Sequence, residues 1–351
     1  MTPQAALMSL ATAAPPNAVL QTDAVEIARH LFAGRFDDFD RLSAVFANTG
    51  IRSRRLAQPL EWYFEPRGWP ERTAAYLAAA ERLFVEAAQA ALASAGLTGA
   101  DVDTVVTVSS TGIATPSLEA RVSGEMGFRS DVERVPVFGL GCAGGVTGLS
   151  LAGRLARARP GSVVLLVTIE LCTLAFRLDE LTKANIVATA LFGDGGAACV
   201  VRAGDEGDWR IEGAGEHTWP DTLDIMGWSM DPLGFGVIFA QAIPPFVRRN
   251  LGPAADKILA GIGLERADIG RFVCHPGGAK VVQALEGALG LGQGDLDVER
   301  EVLADFGNMS APTVLFVLER VLAAKPADRL FLSSLGPGFT ASGLSLVKAA
   351  A

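Results

Sequence analysis

Short, almost continuous apolar runs alternate along the chain with longer stretches in which apolar residues recur at helical spacing. The continuous runs are residues 102–110, 162–170, 197–201, 271–275 and 329–336. Helical spacing marks residues 73–95, 146–158 and 312–321. Continuous apolar runs are typical of strands that are buried on both faces of a sheet. The alternation therefore predicts an α/β fold with helices between the strands.

The segment AGDEGD at residues 203–208 interrupts this pattern with acidic residues and glycines. A break in composition of this kind is expected between two structural units. Because 351 residues exceed the usual length of one simple domain, two lobes or one large α/β unit are expected. We predict an N-terminal half over residues 1–205 and a C-terminal half over residues 206–351, each ending in a glycine-rich turn.

Composition and charge narrow the functional classes. Hydrophobic residues make up 50% of the chain, yet no apolar stretch reaches the roughly 20 residues needed to cross a bilayer. The first residues contain no Lys or Arg ahead of the apolar ones, which argues against a secretory signal. The net charge of -9 disfavours nucleic acid as a partner. We therefore predict a cytoplasmic globular enzyme without a membrane span.

Thiol chemistry is the most plausible use for the few cysteines. The four of them are too sparse for a disulfide framework and form no CxxC pair: Cys142, Cys172, Cys199 and Cys274. With only three histidines, a structural zinc site is not expected, even though Cys274 and His275 are neighbours. We predict no metal and no permanently bound cofactor.

Cys142 lies in the segment GLGCAGGVTGLS, where a short strand passes through glycines into an amphipathic helix. The positive end of a helix favours a thiolate, which can act as a nucleophile, and glycines let a substrate carbonyl approach closely. A small buried core cysteine is the other interpretation. A hydrolase elbow is the third, although the local pattern LGCAG lacks the first glycine of that motif.

Two further polar residues stand where apolar runs end. His275 follows the apolar run RFVC and precedes Pro276, at a strand end of the kind that carries sites in α/β folds. Asn308 lies in GNMSAP, directly before a predicted helix. Taken singly, His275 reads as a structural histidine, and Asn308 with Ser310 as ordinary helix caps. The order cysteine, histidine, asparagine at comparable places in the alternation favours a shared site.

Five segments in this order make a family resemblance specific. They are GCAGG (141–145), ALFGDGGAA (190–198), HPGG (275–278), GNMSAPTVLF (307–316) and LGPGFT (335–340). Together they are similar to the chalcone synthase-like, type III polyketide synthases, and the similarity covers nearly the whole chain. The resemblance implies a thiolase-like fold of two similar αβαβα halves, usually in a homodimer with an active site in each subunit.

The same resemblance implies roles for the three motif residues. Cys142 would be the nucleophile that carries the acyl group, with His275 and Asn308 as its partners. The substrates would be small CoA thioesters, an acyl-CoA starter and malonyl-CoA. Phe192, in LFGDG, matches the aromatic gatekeeper between the CoA tunnel and the reaction cavity. Its other interpretation is an ordinary core phenylalanine before a turn.

Positions that match the family's reaction cavity differ from the plant pattern. The smaller ones are Ser110, Thr111, Thr115, Cys172 and Ala175, and Ser310 is a further candidate cavity position. Trp228 stands where plant members have glycine and should crowd a plant-type cyclisation cavity. The small side chains of Cys172 and Ala175 would open a different tunnel. We therefore expect a long aliphatic starter and an alkylpyrone or alkylresorcinol product.

Candidate contacts to the CoA phosphates are less regular. Three arginines of the run GIRSRR, together with Arg41, are available, although a short basic run is usually a solvated face. Plant members carry three basic CoA contacts at the positions of Arg41, Ala44 and Asn48, so two of these charges are missing here. The full set of candidate contacts is Arg41, Arg52, Arg54, Arg55, Gly277, Gly278, Gly336 and Pro337.

Three other functions remain open at this stage. A ketoacyl-ACP synthase III uses the same three residue types, but HPGG and GNMSAP favour the polyketide family. A cysteine-dependent thioester hydrolase needs an acid between its nucleophile and histidine in chain order. A non-catalytic acyl-CoA-binding protein on the same fold would not need Cys142 at all.

Overall fold

A computed structural model describes residues 4–32, 45–180, 182–204 and 207–349. The strands are β1 (Ala5–Ala13), β2 (Asn17–Leu20), β3 (Ser53–Leu56), β4 (Thr104–Val108), β5 (Glu133–Val137), β6 (Val163–Leu171), β7 (Asp194–Ala203), β8 (Trp209–Thr218), β9 (Met226–Asp231), β10 (Gly234–Phe239), β11 (Arg271–Cys274), β12 (Arg329–Gly336) and β13 (Thr340–Lys348). The α-helices are α1 (Gln21–Phe32), α2 (Trp69–Ser94), α3 (Leu118–Arg121), α4 (Ser123–Met126), α5 (Gly144–Ala158), α6 (Lys183–Leu191), α7 (Ile243–Gly261), α8 (Ala279–Leu289), α9 (Asp297–Phe306) and α10 (Thr313–Ala323).

The largest sheet has the strand order β11-β12-β13-β8-β1-β7-β6-β4-β5 and contains one pattern twice. In its N-terminal part, β4 is parallel to β6, β6 is antiparallel to β7, and β7 is antiparallel to β1. In its C-terminal part, β11 is parallel to β12, β12 is antiparallel to β13, and β13 is antiparallel to β8. The repeat confirms the expectation of two similar halves.

Helices complete a layered arrangement around these two half-sheets. α5 lies between them, in contact with β4, β6 and β7 on one side and with β8, β12 and β13 on the other, and α10 lies beside it. α2 covers the outer face of the N-terminal half-sheet, while α7 and α8 cover that of the C-terminal half-sheet. The order of layers is therefore αβαβα. No helix within the described ranges is long and apolar enough to span a membrane.

The helix α2 shows how the sequence pattern produces a layer. Ala80, Leu83, Ala87 and Ala91 are fully buried, and their spacing of three or four residues places them on one face of the helix. Pro70 stands in the first turn, where its missing N–H costs nothing and its fixed φ suits a helix. The helix therefore begins four residues before the predicted residue 73, at Trp69.

The predicted strands are confirmed, but the sheet contains others that we did not predict. The five apolar runs become β4, β6, β7, β11 and β12. The strand β1 pairs with both β7 and β8, and β13 pairs with β8 and β12. These strands hold the two half-sheets together, although their own sequences lack a continuous apolar run.

Candidate active site

Cys142 lies in a short 3-10 turn, Gly141–Ala143, that leads directly into α5. Gly141 has a φ of +47°, and a Cβ there would stand 2.6 Å from Cδ of Pro337, so glycine is required at this position. The Oγ of Ser110 accepts hydrogen bonds from the N–H groups of Gly139 at 3.0 Å and Gly141 at 3.3 Å. The predicted position of Cys142 at the start of a helix is thereby confirmed.

His275 follows directly after β11. Its backbone N–H donates to the carbonyl of Ser333 at 2.8 Å, which continues the pairing of β11 with β12. The side chain is buried, and neither ring nitrogen has a hydrogen-bond partner among the described residues. Burying polar atoms without partners costs free energy, so purely structural histidines rarely do it. Neither ring nitrogen is therefore committed to an internal hydrogen bond in the described part of the chain, and His275 lines the adjoining chamber.

Asn308 is held by both its backbone and its side chain. Its N–H donates to the carbonyl of Leu191 at 2.9 Å, and its own carbonyl accepts from the N–H of Gly193 at 3.0 Å. The side-chain Oδ1 accepts from the N–H of Ser310 at 2.8 Å, while Nδ2 is 3.5 Å from the carbonyl of Gly277. Because α10 begins only at Thr313, the side chain closes a local turn ahead of the helix and still faces the chamber.

Cys142, His275 and Asn308 line one enclosed chamber, which we call the cysteine chamber. It has about 400 Å³ of empty space and is completed by apolar side chains such as Met226 and Phe239. The thiol of Cys142 is 4.0 Å from Oδ1 of Asn308. The structure thus brings together the three residues that the sequence predicted as one site.

Burial disfavours the charged forms of both the Cys142 thiol and the His275 imidazole. Burial raises the pKa of the Cys142 thiol to about 12, although hydrogen bonds to Ser310 and Asn308 offset part of this shift. Burial also lowers the pKa of the His275 imidazole to about 4. The helix start alone therefore does not give the thiolate that the sequence predicted. A thiolate at Cys142 therefore needs a group that accepts its proton, and His275 lines the same chamber.

A second space, the middle cavity, adjoins the cysteine chamber. The two share Cys142, Met226 and Phe239. The predicted cavity positions that line the middle cavity are Ser110, Thr111, Cys172, Phe192, Trp228 and Ser310.

A third space, the inner cavity, adjoins the middle cavity. Both are lined by Cys172, Phe192, Trp228 and Val237. It has about 750 Å³ of empty space, part of it open to solvent, and Ala175 is one of its walls. Most of its lining is apolar, from β2, α1, β3 and the Leu60–Phe64 turn. Its polar walls are largely satisfied internally. The hydroxyl groups of Tyr63 and Thr173 are 2.7 Å apart, for example.

On the opposite side, the cysteine chamber leads to a wide opening that we call the outer mouth. The two share Phe239, Ile243, Gly277 and Val281. The mouth has about 1190 Å³ of empty space, part of it open to solvent, and also includes Gly278. Gly277 and Gly278 thus lie on the route to Cys142, as expected of residues that contact CoA.

Phe192 and Trp228 stand at the constrictions of this route. Phe192 packs edge-to-face with Phe239, with ring centroids 6.1 Å apart, so the two rings separate the middle cavity from its neighbours. The indole N–H of Trp228 donates to the carbonyl of Ser110 at 3.0 Å. This bond fixes the ring across the passage between the middle and inner cavities. Trp228 therefore narrows the middle cavity, in the manner expected from its size.

Thr115 borders no described cavity of its own chain, so its place in a reaction cavity stays a prediction. Its side chain is exposed. The chain leaves β4 after Val108 and packs Gly112 against the ring of Tyr76. It then turns outward, which carries Thr115 to the surface.

The predicted CoA contact of Arg54 is corrected. Its side chain is 6% exposed and donates a hydrogen bond to the carbonyl of Phe192 at 2.8 Å and a short one to the carbonyl of Thr189. Burial lowers the pKa of its guanidinium to about 10, while nearby Asp194 opposes that shift. Alternation along β3 points this residue inward, so it supports the C-terminal end of α6 and the wall of the inner cavity.

The remaining candidate CoA contacts divide by position. Arg52 is exposed and pairs with Asp305 at 2.6 Å, and Arg55 is half-buried beside it on β3. Neither arginine lines the outer mouth. Gly336 and Pro337 pack against the Cys142 turn instead, since a Cβ on Gly336 would stand 2.4 Å from the carbonyl oxygen of Leu140. Arg41 lies outside the described residues.

Sequence reasoning missed Met226 and Phe239, which line both the cysteine chamber and the middle cavity. They belong to the two-stranded sheet of β9 and β10. Neither residue carries a chemical group that stands out in a sequence. Only the pairing of the two strands places them beside Cys142.

Comparisons with known proteins agree with this architecture. The model of the chalcone and stilbene synthase N-terminal domain matches residues 64–205, and that of the C-terminal domain matches residues 211–348. A 1,3,6,8-tetrahydroxynaphthalene synthase of Streptomyces peucetius subsp. caesius is 42% identical, with 94% of this chain and 89% of the relative covered. A putative chalcone synthase of Bacillus subtilis is 36% identical, with coverage of 95% and 96%.

The likeness extends to solved structures. The crystal structure of 1,3,6,8-tetrahydroxynaphthalene synthase from Streptomyces coelicolor superposes with a TM-score of 0.93 at 28% identity, covering 99% of this chain and all of that one. The αβαβα layers and the similarity to these proteins together define a condensing enzyme with a thiolase-like fold. The chain belongs to the chalcone and stilbene synthase family and is a type III polyketide synthase, an acyltransferase that extends acyl groups with malonyl-CoA.

Proposed function

We propose that this enzyme loads a medium or long aliphatic acyl group from CoA onto Cys142 and extends it with malonyl-CoA to an alkylpyrone or alkylresorcinol. His275 and Asn308 serve both stages. The observation that carries the proposal is a row of adjoining cavities, which share lining residues, from the outer mouth past these three residues to an apolar inner cavity.

Loading begins when His275 takes the proton of the Cys142 thiol. The sulfur attacks the thioester carbonyl of the acyl-CoA, a new carbon–sulfur bond forms, and the bond to the CoA sulfur breaks. His275 returns the proton to the departing CoA thiolate. The unpartnered ring nitrogens of His275 suit this double role, because no internal hydrogen bond has to be broken first.

Extension uses the same chamber. Malonyl-CoA loses its carboxylate as CO₂, and the electron pair of the broken carbon–carbon bond becomes the enolate of acetyl-CoA. The enolate oxygen would receive hydrogen bonds from His275 and from Nδ2 of Asn308, the type of stabilisation on which such steps depend. The enolate carbon attacks the Cys142 thioester, a carbon–carbon bond forms, and the Cys142 sulfur leaves. The lengthened chain, now on CoA, can return to Cys142.

The inner cavity favours an aliphatic starter. An acyl chain on Cys142 can pass between Phe192 and Trp228 into a space with a mainly apolar lining. Each buried methylene contributes about 0.8 kcal/mol of hydrophobic free energy. The small side chains of Cys172 and Ala175 leave the entrance and one wall of this space open.

A second product is favoured by the relatives. Several of them are 1,3,6,8-tetrahydroxynaphthalene synthases, whereas one from Mycobacterium tuberculosis, 29% identical, is described as an alpha-pyrone synthesis polyketide synthase-like protein. Synthesis of tetrahydroxynaphthalene would need no aliphatic starter. We prefer the aliphatic one because of the mainly apolar lining of the inner cavity.

The test is incubation of the purified chain with malonyl-CoA, alone and with acetyl-CoA, octanoyl-CoA or palmitoyl-CoA, followed by mass analysis of the products. We expect alkylpyrones or alkylresorcinols from the two longer starters. A naphthalene product from malonyl-CoA alone, unchanged by added starters, would select the second candidate. A strict need for malonyl-ACP would instead support a ketoacyl synthase, and release of free fatty acid without chain extension would support a hydrolase.

We further infer that the active form is a cytoplasmic homodimer. The strand β5 is an edge of the large sheet, and a free edge can pair with a second copy. Phe138, just after β5, and Ile113 are each 52% exposed, and a second copy paired at this edge would cover them. The four cysteines are free, as is usual in a reducing compartment. Light scattering should give twice the chain mass, and Phe138→Glu should lower it.

A further inference from the structure

The outer mouth has a charge that contrasts with the rest of the protein. Its described lining contains two lysines, Lys183 and Lys280, and no Asp or Glu. The chain as a whole carries a net charge of -9. Salt screens distant charges, so the potential near the opening depends mainly on the nearest charges. A positive opening therefore attracts anions even in an acidic protein.

Neither ammonium group is neutralised within the described residues. No carboxylate lies within 4 Å of Lys183 or Lys280 there, although many arginines of the same protein are paired in this way. Both lysines are exposed. Their charges therefore remain available to a molecule that occupies the mouth.

Two helices strengthen this field. Lys183 is the first residue of α6, and Lys280 is the second residue of α8. The N–H groups of Val281 and Val282 donate to the carbonyl of Gly278, so α8 begins at the wall of the mouth. A helix start carries a partial positive charge, which adds to that of the lysine beside it.

The mouth is joined to the cysteine chamber. Phe239, Ile243, Gly277 and Val281 line both spaces, and the chamber contains Cys142, His275 and Asn308. A substrate that reacts at Cys142 and has an anionic tail would thus leave that tail in the mouth.

Asn48 is one of the two family CoA-contact positions that lack a basic residue in this chain, and it lies at the outer mouth. Plant members of the family carry a basic CoA contact at this position. Lys183 on α6 and Lys280 on α8 therefore place positive charge in the same opening that lacks it at Asn48.

We propose that Lys183 and Lys280 bind the phosphate groups of CoA thioesters and replace the basic contacts absent at Ala44 and Asn48. The proposal rests on the proposed function, because it assumes that acyl-CoA and malonyl-CoA react at Cys142. It assigns the charged part of CoA to the start of two helices and leaves the run Arg52, Arg54 and Arg55 without a direct contact.

The test compares two forms of each substrate. Malonyl-CoA and octanoyl-CoA carry the phosphates, whereas the corresponding N-acetylcysteamine thioesters carry the same reacting groups without them. The variants are Lys183→Met, Lys280→Met and the double variant. For each, the ratio of kcat/KM for the CoA thioesters to that for the short thioesters should fall about tenfold per lysine, mainly through KM, as expected for charge-assisted contacts.

Two matched controls accompany these variants. Lys183→Arg and Lys280→Arg keep the charge and should keep most of the ratio. Lys257→Met removes an exposed lysine of α7 that lines none of the described cavities, and should leave the ratio unchanged. Raising the salt concentration should increase KM for the CoA thioesters of the wild type more than for those of the double variant.

The outcomes separate this inference from the proposed function. An unchanged ratio in the double variant, with normal polyketide formation, would overturn the role of the lysines and leave the proposed function intact. An equal loss with both forms of substrate would also overturn it, since the lysines would then act on folding or access. Failure of the wild type to form polyketide from any CoA thioester would overturn the proposed function itself.

Discussion

The outer mouth and the inner cavity lie on opposite sides of Cys142 and have opposite character. The mouth is wide and open to solvent, and its described lining contains Lys183 and Lys280 and no acidic residue. The inner cavity is mainly apolar, and its polar groups are largely bonded to one another. The difference matches the two ends of an acyl-CoA, one of which is highly charged and the other hydrocarbon. It suggests that affinity for CoA and selection among acyl groups depend on separate parts of the chain.

The largest expected effect comes from Cys142, which lies between the outer mouth and the inner cavity. Cys142→Ala should lower polyketide formation by at least about a thousandfold, because the acyl group then has no nucleophile to carry it. Product mass analysis with octanoyl-CoA and malonyl-CoA measures this loss. Cys199→Ala is the matched control, since Cys199 is buried in β7 and lines none of the cavities. Continued synthesis by Cys142→Ala would contradict the role of Cys142 as the acyl carrier between the two regions.

A smaller effect tests whether the buried Cys142 thiol needs His275 to lose its proton. In the wild type, His275 can take the thiol proton, so iodoacetamide should alkylate Cys142 at neutral pH. In His275→Gln the thiol must ionise alone, and burial holds its pKa far above neutrality, at about 12 with the imidazole in place. We expect alkylation at neutral pH to slow by on the order of a hundredfold and to rise with pH as the thiolate forms. Peptide mass analysis identifies the labelled cysteine, and equal rates in both proteins would contradict the coupling.

Selection by the inner cavity should respond to a change in one wall. Ala175→Phe fills space that only the hydrocarbon end of a substrate would use. We expect kcat/KM for palmitoyl-CoA to fall about tenfold to a hundredfold, whereas that for acetyl-CoA changes little. The lysine variants should instead affect both CoA thioesters equally. If Ala175→Phe lowered activity with both starters to the same extent, the division of labour between the two regions would be wrong.

The smallest effect concerns support of the inner wall. Arg54→Met removes the donors to the carbonyls of Thr189 and Phe192, so the free energy of unfolding should fall by about 1–3 kcal/mol. Urea titration measures this change. Arg52→Met is the control, because its guanidinium is exposed and surface ion pairs contribute little. An equal, small effect for both variants would mean that Arg54 does not support this wall.

The parts of the fold that carry a local signal could be predicted from the sequence. Fully buried strands such as β6 have continuous apolar runs, and α2 has one apolar face. β8 and β13 have no such signal, because pairing between distant segments decides their structure. The predicted boundary near residue 205 stays a prediction about how the chain divides.

The site was predictable where a residue type is chemically distinctive. Cys142, His275 and Asn308 stand at turns that the sequence marks with glycine or a strand end, and the structure brings them into one chamber. The CoA contact predicted for Arg54 was wrong because sequence does not reveal which way a side chain points after a loop of unknown path. Lys183 and Lys280 look like ordinary surface lysines until α6 and α8 are placed around the same mouth.

The backbone link between Phe192 and Asn308 has a consequence for substitutions near the site. The N–H of Asn308 bonds to Leu191, and its carbonyl accepts from Gly193, so the two residues occupy neighbouring positions of one small bridge. A substitution at Phe192 that shifts this stretch of backbone should therefore also displace Asn308. Cys172 and Ala175 lie outside the bridge, so a change of starter range made there should disturb Asn308 less.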